Sequence, residues 1–478
     1  MHTFYWHDYE TFGINPRRDR PSQFAGIRTD AELNEIGAPL MQYCKPAPDY
    51  LPDPESCLLT GITPQHCLEN GVNEHEFAAR IEAELASPNT VSLGYNSIRF
   101  DDEVTRFMFW RNLIEPYSRE WQNDCSRWDL LDVVRTCYAL RPEGVNWPKH
   151  EDGRPSFKLE HLTQANGISH EAAHDALSDV RATIALARLI KQSQPKLFDF
   201  CFSLRKKDKV LEQIGLRSHS EEARPFLHIS GMFPADRGCI TIVWPLAMHP
   251  SNKNEIIVWD LAFDPAELFT LDADTIRQRM FSKSTDLPEG VTRLPVKSIH
   301  INKSPIVIGN LKTLSNDRAK HWNIDVEQAL EHAKIAAAAP DMAAIWLQVF
   351  TSEHASSDVD EDLYGGFVGN NDKRLLAKLR HFSGDELARE KVSFEDSRLE
   401  EIFFRYRARN FPESLSPTEL RRWEQHRAAK LFDGAGGART LEVFGDKIDE
   451  LSDHIDDSQA GLLATLFDYA ESIMPDEE

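Results

Sequence analysis

Two carboxylates set two residues apart, Asp8 and Glu10, lie in the run Thr3-Phe4-Tyr5-Trp6-His7-Asp8-Tyr9-Glu10-Thr11-Phe12, whose aromatic and β-branched composition predicts a β-strand. Alternate residues of a strand share a face, so both acids project together, ~6.6 Å apart along the chain. Two convergent carboxylates make a site for a hard cation. Burying them on a strand that otherwise reads as core costs several kcal/mol per ion, and a divalent metal is the natural compensation. For an isolated Asp-x-Glu the plainer reading is a sheet-edge strand with two solvated acids, so the pair has to be judged by its company.

That company comes later in the chain. Asp101-Asp102-Glu103 opens a segment with apolar residues at Val104, Phe107, Met108 and Leu113, the spacing of an amphipathic helix. Acids in a first helical turn suit the dipole, which also favours their ionised, metal-binding form. Taken alone, Asp101 or Asp102 equally suits a helix N-cap. Residues Ala172 to Ile190 predict another helix, with Leu177, Val180, Ile184, Ala187 and Leu189 as its stripe and Asp179 beside it. His174 lies five positions earlier, about 500° of helical turn. It therefore belongs in or at the loop leading into that helix, where a lone histidine is more often a surface or capping residue than a catalyst.

Basic residues form the third group. Gly13-Ile14-Asn15-Pro16-Arg17-Arg18-Asp19-Arg20-Pro21 is a turn-rich loop with three arginines beside the first strand, read equally as solvated or as phosphate-contacting. Near the end, Phe403-Phe404-Arg405-Tyr406-Arg407-Ala408-Arg409-Asn410-Phe411 interleaves arginines with aromatics. That composition fits stacked bases and paired phosphates, or a packed helix whose arginines bond to distant acids.

Around these residues the chain predicts strands at Phe24 to Thr29 and Thr90 to Asn96, with a weak helix at Glu74 to Leu85 between them. Beyond Gln194-Pro195 short β-type runs follow at Phe226 to Ile229, Cys239 to Trp244, Glu255 to Leu261 and Val296 to Ile301, the spacing of a small β barrel or sheet. A helical stretch, Val326 to Phe350, closes that part. The acidic segment Ser352 to Asp362 reads as a linker, and helices are expected at Leu399 to Tyr406, Pro417 to Leu431 and Asp446 to Ile473.

At 478 residues, 41% hydrophobic and 27% charged, the composition is that of a soluble globular protein of two to four domains. A net charge of -23 opposes indiscriminate binding to polyanions, so any nucleic-acid contact must be a local basic groove. Seven scattered cysteines, none spaced C-x-x-C, indicate reduced thiols in a cytoplasmic protein rather than disulfides or zinc. The N-terminus lacks a basic segment followed by an apolar one, so no signal peptide is expected. The longest apolar stretch, Ile335 to Phe350, is broken by Pro340, Asp341 and Gln348, so no membrane span is expected either.

In their order, Asp8 and Glu10 on a first strand, Asn96-x-x-x-Phe100-Asp101 entering a helix and His174-x-x-x-x-Asp179 entering a later one resemble the three motifs of the DEDD exonucleases, catalytic-histidine subgroup. His7 to Gly13, Asp19-Arg20-Pro21, Gly94-Tyr95-Asn96, Arg99 to Arg106, Leu140 to Gly144, Leu159 to Thr163, His300 to Lys303 and Tyr406 to Pro412 resemble one family, bacterial exodeoxyribonuclease I, over nearly the whole chain. The resemblance implies an α/β ribonuclease-H-like exonuclease domain (1–195), an SH3-like β domain (196–351), a linker (352–362) and an α-helical C-terminal domain (363–478), together C-shaped around the strand. It implies processive 3′ to 5′ degradation of single-stranded DNA to 5′-mononucleotides, in DNA repair and recombination.

Two-ion phosphodiester hydrolysis follows from it, with Mg²⁺ favoured by all-oxygen ligation and Mn²⁺ as substitute. By resemblance Asp8, Glu10 and Asp179 hold the ion nearer the water, Asp8 with Asp101 nearby serves the second, and His174 takes the water's proton. Arg17, Arg20, Arg99, Arg106, Arg127, Arg141 and Lys149 are the groove candidates of the first domain, with Arg407 and Arg409 from the last. The family also binds the acidic, apolar C-terminal tail of the single-stranded DNA-binding protein, for which Arg141 with Arg409 or nearby lysines would supply charge; a monomer is expected. The competing readings are a 3′ to 5′ exoribonuclease of the same class, which leaves the chain beyond Pro195 unexplained, and a catalytically silent single-strand-binding module, which predicts a lost ligand. A proofreading role would need polymerase motifs or a polymerase partner that the sequence does not show.

Overall fold

The computed structural model describes residues 2–170, 175–215, 223–351, 358–453 and 456–475; His174 lies outside them. Chain contacts gather two compact units. One holds the described residues of Met1–Ser126, His170–Arg181 and His354–Glu478; the other holds those of Arg127–Ser169 and Ala182–Glu353.

In the first unit, β1 (Thr3–Thr11), β2 (Pro21–Thr29) and β3 (Leu40–Tyr43) form an antiparallel meander, and β4 (Thr90–Gly94) adds in parallel on the free side of β1. The parallel pairing needs a crossover, supplied by α1 (Glu74–Leu85). The odd-numbered face of β1, with Tyr5 and Tyr9, packs on Phe77 and Ile81 of α1 and on Val104 and Met108 of α2 (Asp101–Arg111). Its even-numbered face carries Phe4 and Trp6 and then, where the strand outruns β4, Asp8 and Glu10. Pairing with β4 runs from Thr3↔Thr90 to Trp6↔Leu93, so the acids sit past the carboxyl end of the neighbouring parallel strand, where α/β sheets keep their ligand crevices.

Gly94 permits that close approach, because a Cβ there would meet the His7 carbonyl oxygen at 2.5 Å. Asn96 then turns the chain toward α2 with φ 64°, a left-handed conformation that Asn tolerates better than most residues.

A short strand, β5 (Ser126–Asp129), leads the chain into the second unit. There β6 (Phe226–Ile229), β7 (Ile240–Met248), β8 (Glu255–Asp260), β9 (Val296–His300) and β10 (Ile306–Ile308) form an antiparallel sheet in the order β10-β6-β7-β8-β9, over a core that includes Leu227, Ile242, Ile256 and Val258. The single helix expected over Val326 to Phe350 is two, Val326–Ala337 and Ala343–Val349. Pro340 lies between them, a residue that removes a helical donor and clashes with the preceding turn.

The last part of the first unit is helical. It includes α4 (Arg398–Asn410) and α5 (Pro417–Leu431); the stretch expected as one helix over Asp446 to Ile473 is again two, Leu441–Ser452 and Asp457–Ser472. Between β5 and α4 in sequence, α3 (Ala176–Ser193) brings Asp179 to the first unit. All seven cysteines are buried free thiols. Among the described residues no helix is long and apolar enough to cross a membrane.

Candidate active site

Asp8, Glu10 and Asp179 each offer a carboxylate oxygen, and these atoms lie within 4.8 Å of one another. Two come from one face of β1 and the third from the first turn of α3. Asp101, the first residue of α2, does not cap its own helix: the N-cap is Phe100, with no side-chain cap bond. Its Oδ1 instead accepts from the backbone N–H of Tyr9 at 3.1 Å, a β1 donor beyond the reach of β4. That bond places a fourth carboxylate, itself buried, against the strand between Asp8 and Glu10. The neighbouring Asp102 serves the fold, taking Arg119 at 2.5 Å.

The acids repel one another where water cannot screen them. Burial, then the charges of Asp101, Asp179 and Asp175, hold the Asp8 carboxyl well above the usual carboxylate range. Burial, then Asp8, Asp179 and Asp175, push Glu10 up to about 9. An all-carboxylate cluster of this kind is what a hard divalent cation neutralises, so the residues present fit a Mg²⁺-type site.

Among the described residues, two histidines lie close by in the chain or in space. His7 faces the other side of β1, stacks on Phe24 at 5.9 Å and is lowered to about 4, chiefly by burial, so it stays neutral and away from the acids. His170 bonds through Nε2 to Asp179 Oδ1. Sequence reasoning missed His170, whose only signal was its place shortly before the Asp179 helix. Asp175 was missed too; its charge reaches both Asp8 and Glu10.

The basic candidates divide by burial. Arg20 is buried and pairs with Asp360 at 3.2 Å; Arg106 is buried between Glu103 and Glu120, both at 2.7 Å. Arg407 holds Glu419 at 2.8 Å, and Arg409 holds Asp49 at 2.7 Å and Asp360 at 2.6 Å. These four guanidiniums are committed to carboxylates inside the fold. The Phe403 to Phe411 run is correspondingly packed: Phe403, Phe404 and Tyr406 are buried in α4. Within the second unit Arg127 is buried, donating to the Asn302 carbonyl at 3.3 Å, and the half-buried Arg141 donates to the carbonyls of Leu140 and Thr313. Arg17, Arg99 and Lys149 are exposed, Arg17 with its guanidinium over the rings of Phe107 and Tyr364. The described end of the acidic linker is anchored: Asp360 takes Arg20 and Arg409, and Asp358 takes Arg405 at 2.6 Å.

Family models match most of the chain: Exonuclease over residues 5–187, Exonuclease I SH3-like domain over 205–352 and Exonuclease I C-terminal domain over 357–473. Exodeoxyribonuclease I of Escherichia coli (strain K12) is 46% identical over 477 residues, spanning 99% of this chain and 98% of the relative. Its counterpart in Haemophilus influenzae is 47% identical, spanning 94% and 96%. Among solved structures, E. coli exonuclease I in complex with a dA16 oligonucleotide superposes with a TM-score of 0.93 at 45% identity, covering 99% of this chain and 100% of that one. The moderately thermophilic exonuclease I from Methylocaldum szegediense gives 0.93 at 46% identity with the same coverage. The zinc-ion-bound E. coli enzyme with single-stranded DNA gives 0.91 at 44%, covering 99% of each.

Proposed function

The chain belongs to the exodeoxyribonuclease I family, and from that premise we propose that it is a processive 3′ to 5′ exonuclease acting on single-stranded DNA, releasing 5′-mononucleotides by hydrolysis across two Mg²⁺ ions. The observation that carries the reading is the convergence of Asp8, Glu10 and Asp179 within 4.8 Å, with Asp101 buried against the same strand. Asp8, Glu10 and Asp179 would hold one ion, and Asp8 with Asp101 the second. Bound there, such ions neutralise the scissile phosphate and make water a nucleophile near neutral pH. His174 is assigned as the base that takes the water's proton, from its place in the histidine motif. His170 orients the Asp179 carboxylate through its Nε2 bond, as partners of metal ligands commonly do.

Arg17, Arg99 and Lys149 are the side chains we assign to the DNA backbone, on their exposure to solvent, where a strand can reach them. For the acidic tail of the single-stranded DNA-binding protein, Arg141 remains a candidate. Arg409 is taken by Asp49 and Asp360.

The test is digestion of 5′-labelled single-stranded DNA with Mg²⁺, run beside duplex DNA, the RNA equivalent, an EDTA control and the Asp8→Ala protein. Shortening of the single-stranded DNA alone, from its 3′ end, abolished by EDTA and by the substitution, is the expected result. Preferential loss of RNA would make the chain an exoribonuclease, and metal-independent loss would discard the carboxylate site.

A further inference from the structure

Glu10 has a cross-strand partner that the chemistry above does not use. In the β1–β2 register Glu10 faces Gln23, and directly opposed residues of an antiparallel pair project from the same face. Gln23 is buried, 1% exposed, and its carboxamide reaches the start of α3 with both ends. Oε1 accepts from the backbone N–H of Ala176 at 3.1 Å, and Nε2 donates to Asp175 Oδ1 at 3.3 Å. Asp175 in turn caps the helix, its Oδ2 accepting from Ser178 N–H at 3.1 Å. Nε2 also lies 3.3 Å from the Tyr43 hydroxyl on β3.

The chemistry fixes the amide's orientation. A backbone N–H only donates and a carboxylate only accepts, so the oxygen must face Ala176 and the nitrogen Asp175. One of the donors that every helix N-terminus leaves without an intrahelical partner is thereby satisfied by a strand residue. The helix bearing Asp179 is tied to the strand lying opposite the one that bears Asp8 and Glu10.

We propose that Gln23 is a positioning residue for the hydrolysis: by bridging Ala176 N–H and the Asp175 carboxylate it sets α3 on β2 and holds Asp179 within ligating reach of Asp8 and Glu10. The inference rests on reading those three acids as metal ligands. A helix turns about 100° per residue, so a small roll of α3 carries the Asp179 carboxylate away from the strand, and displacements near 1 Å at a reacting site cost about 10²-fold. The carboxamide is specific for this task. Glutamate would set a second carboxylate against Asp175, and an apolar isostere would remove the acceptor from Ala176 N–H and the Gln23 donor from Asp175 Oδ1.

The experiment is a swap of polarity: Gln23→Glu, Asp175→Asn and the double variant, with Gln23→Met as a neutral companion in case the glutamate variant folds poorly. Turnover on single-stranded DNA, Mn²⁺ affinity by calorimetry without DNA, and oligonucleotide affinity in EDTA are measured for each. Gln23→Glu and Gln23→Met are expected to lose about 10- to 100-fold in turnover and in Mn²⁺ affinity, with oligonucleotide affinity in EDTA unchanged. In the double variant the amide introduced at position 175 donates to the carboxylate introduced at position 23, whose other oxygen still accepts from Ala176, and both quantities should return to within about threefold of wild type. Wild-type turnover and Mn²⁺ affinity in both single Gln23 variants, or a double variant no better than Gln23→Glu, would overturn the proposal. Asp8→Ala is the control for its premise: if that protein binds Mn²⁺ as wild type does, it is the ligand reading that fails.

Discussion

Metal binding at the carboxylate cluster should be a proton-release reaction, and the size of the effect follows from Glu10. Its carboxyl is pushed from 4.5 up to about 9, first by burial and then by Asp8, Asp179 and Asp175. Near pH 7.5 the metal-free site therefore holds that proton almost completely, and a cation must displace it. Removing it there takes about 2 kcal/mol, at about 1.4 kcal/mol per pH unit, a penalty that falls to nothing near pH 9. Apparent Mg²⁺ or Mn²⁺ affinity should accordingly rise about tenfold per pH unit between about pH 6.5 and 8.5 from this proton alone, and more steeply if Asp8 releases a second.

Folding stability carries the opposite sign. Glu10's pKa is raised in the folded protein, so its contribution is complete below about 4.5 and is lost as pH climbs through about 9. The metal-free protein should lose melting temperature over that window, and Mg²⁺ should restore most at the alkaline end. Calorimetry in buffers of different ionisation enthalpy counts the protons, and thermal melts with and without Mg²⁺ give the stability arm. Affinity that stays flat across the window with no proton released would refute the electrostatic reading of the site.

Three further outcomes follow from the charged groups. Asp360→Ala leaves the guanidiniums of Arg20 and Arg409 facing a lost carboxylate in a buried network, where breaking one partner costs about 3 to 5 kcal/mol; melting should fall by several degrees, and an unchanged transition would show the network to be inert. That network should also persist in mild acid: Asp49 and Asp360 are held well below 3.8, against their own burial, by Arg409 and its neighbours, so their stabilisation is present above that value and disappears only as pH falls through the lowered one. Arg17→Ala, by contrast, should leave melting unchanged while weakening oligonucleotide binding and lowering the salt dependence of its logarithm by about 0.7. An unaltered salt slope in filter binding would remove Arg17 from the DNA path.

What was legible in the sequence and what was not separate along a physical line. The convergence of Asp8 and Glu10 was readable because strand geometry alone makes i and i+2 share a face, whereas Asp101, which by itself read as a helix cap, and Asp179 joined them only through the resemblance of their motifs. The second unit's small β sheet was readable from the spacing of its apolar runs, its SH3-like character only from the resemblance. The arginines were not: a guanidinium near an aromatic residue looks the same whether it will meet a phosphate or a carboxylate, and the acids that decide are remote. Arg409 meets Asp49 across 360 positions of chain, and Arg20 meets Asp360 across 340. A chain of net charge -23 has acids to spare for such pairs, so a buried arginine there is better explained by an internal carboxylate than by a polyanion. Gln23 was illegible for a different reason, since a glutamine in a strand has no composition signal and acquires its task only through the register that sets it opposite Glu10. The side chains that carry charge in this site announce themselves by type, whereas those that hold it in place are specified by pairing, which only the folded chain displays.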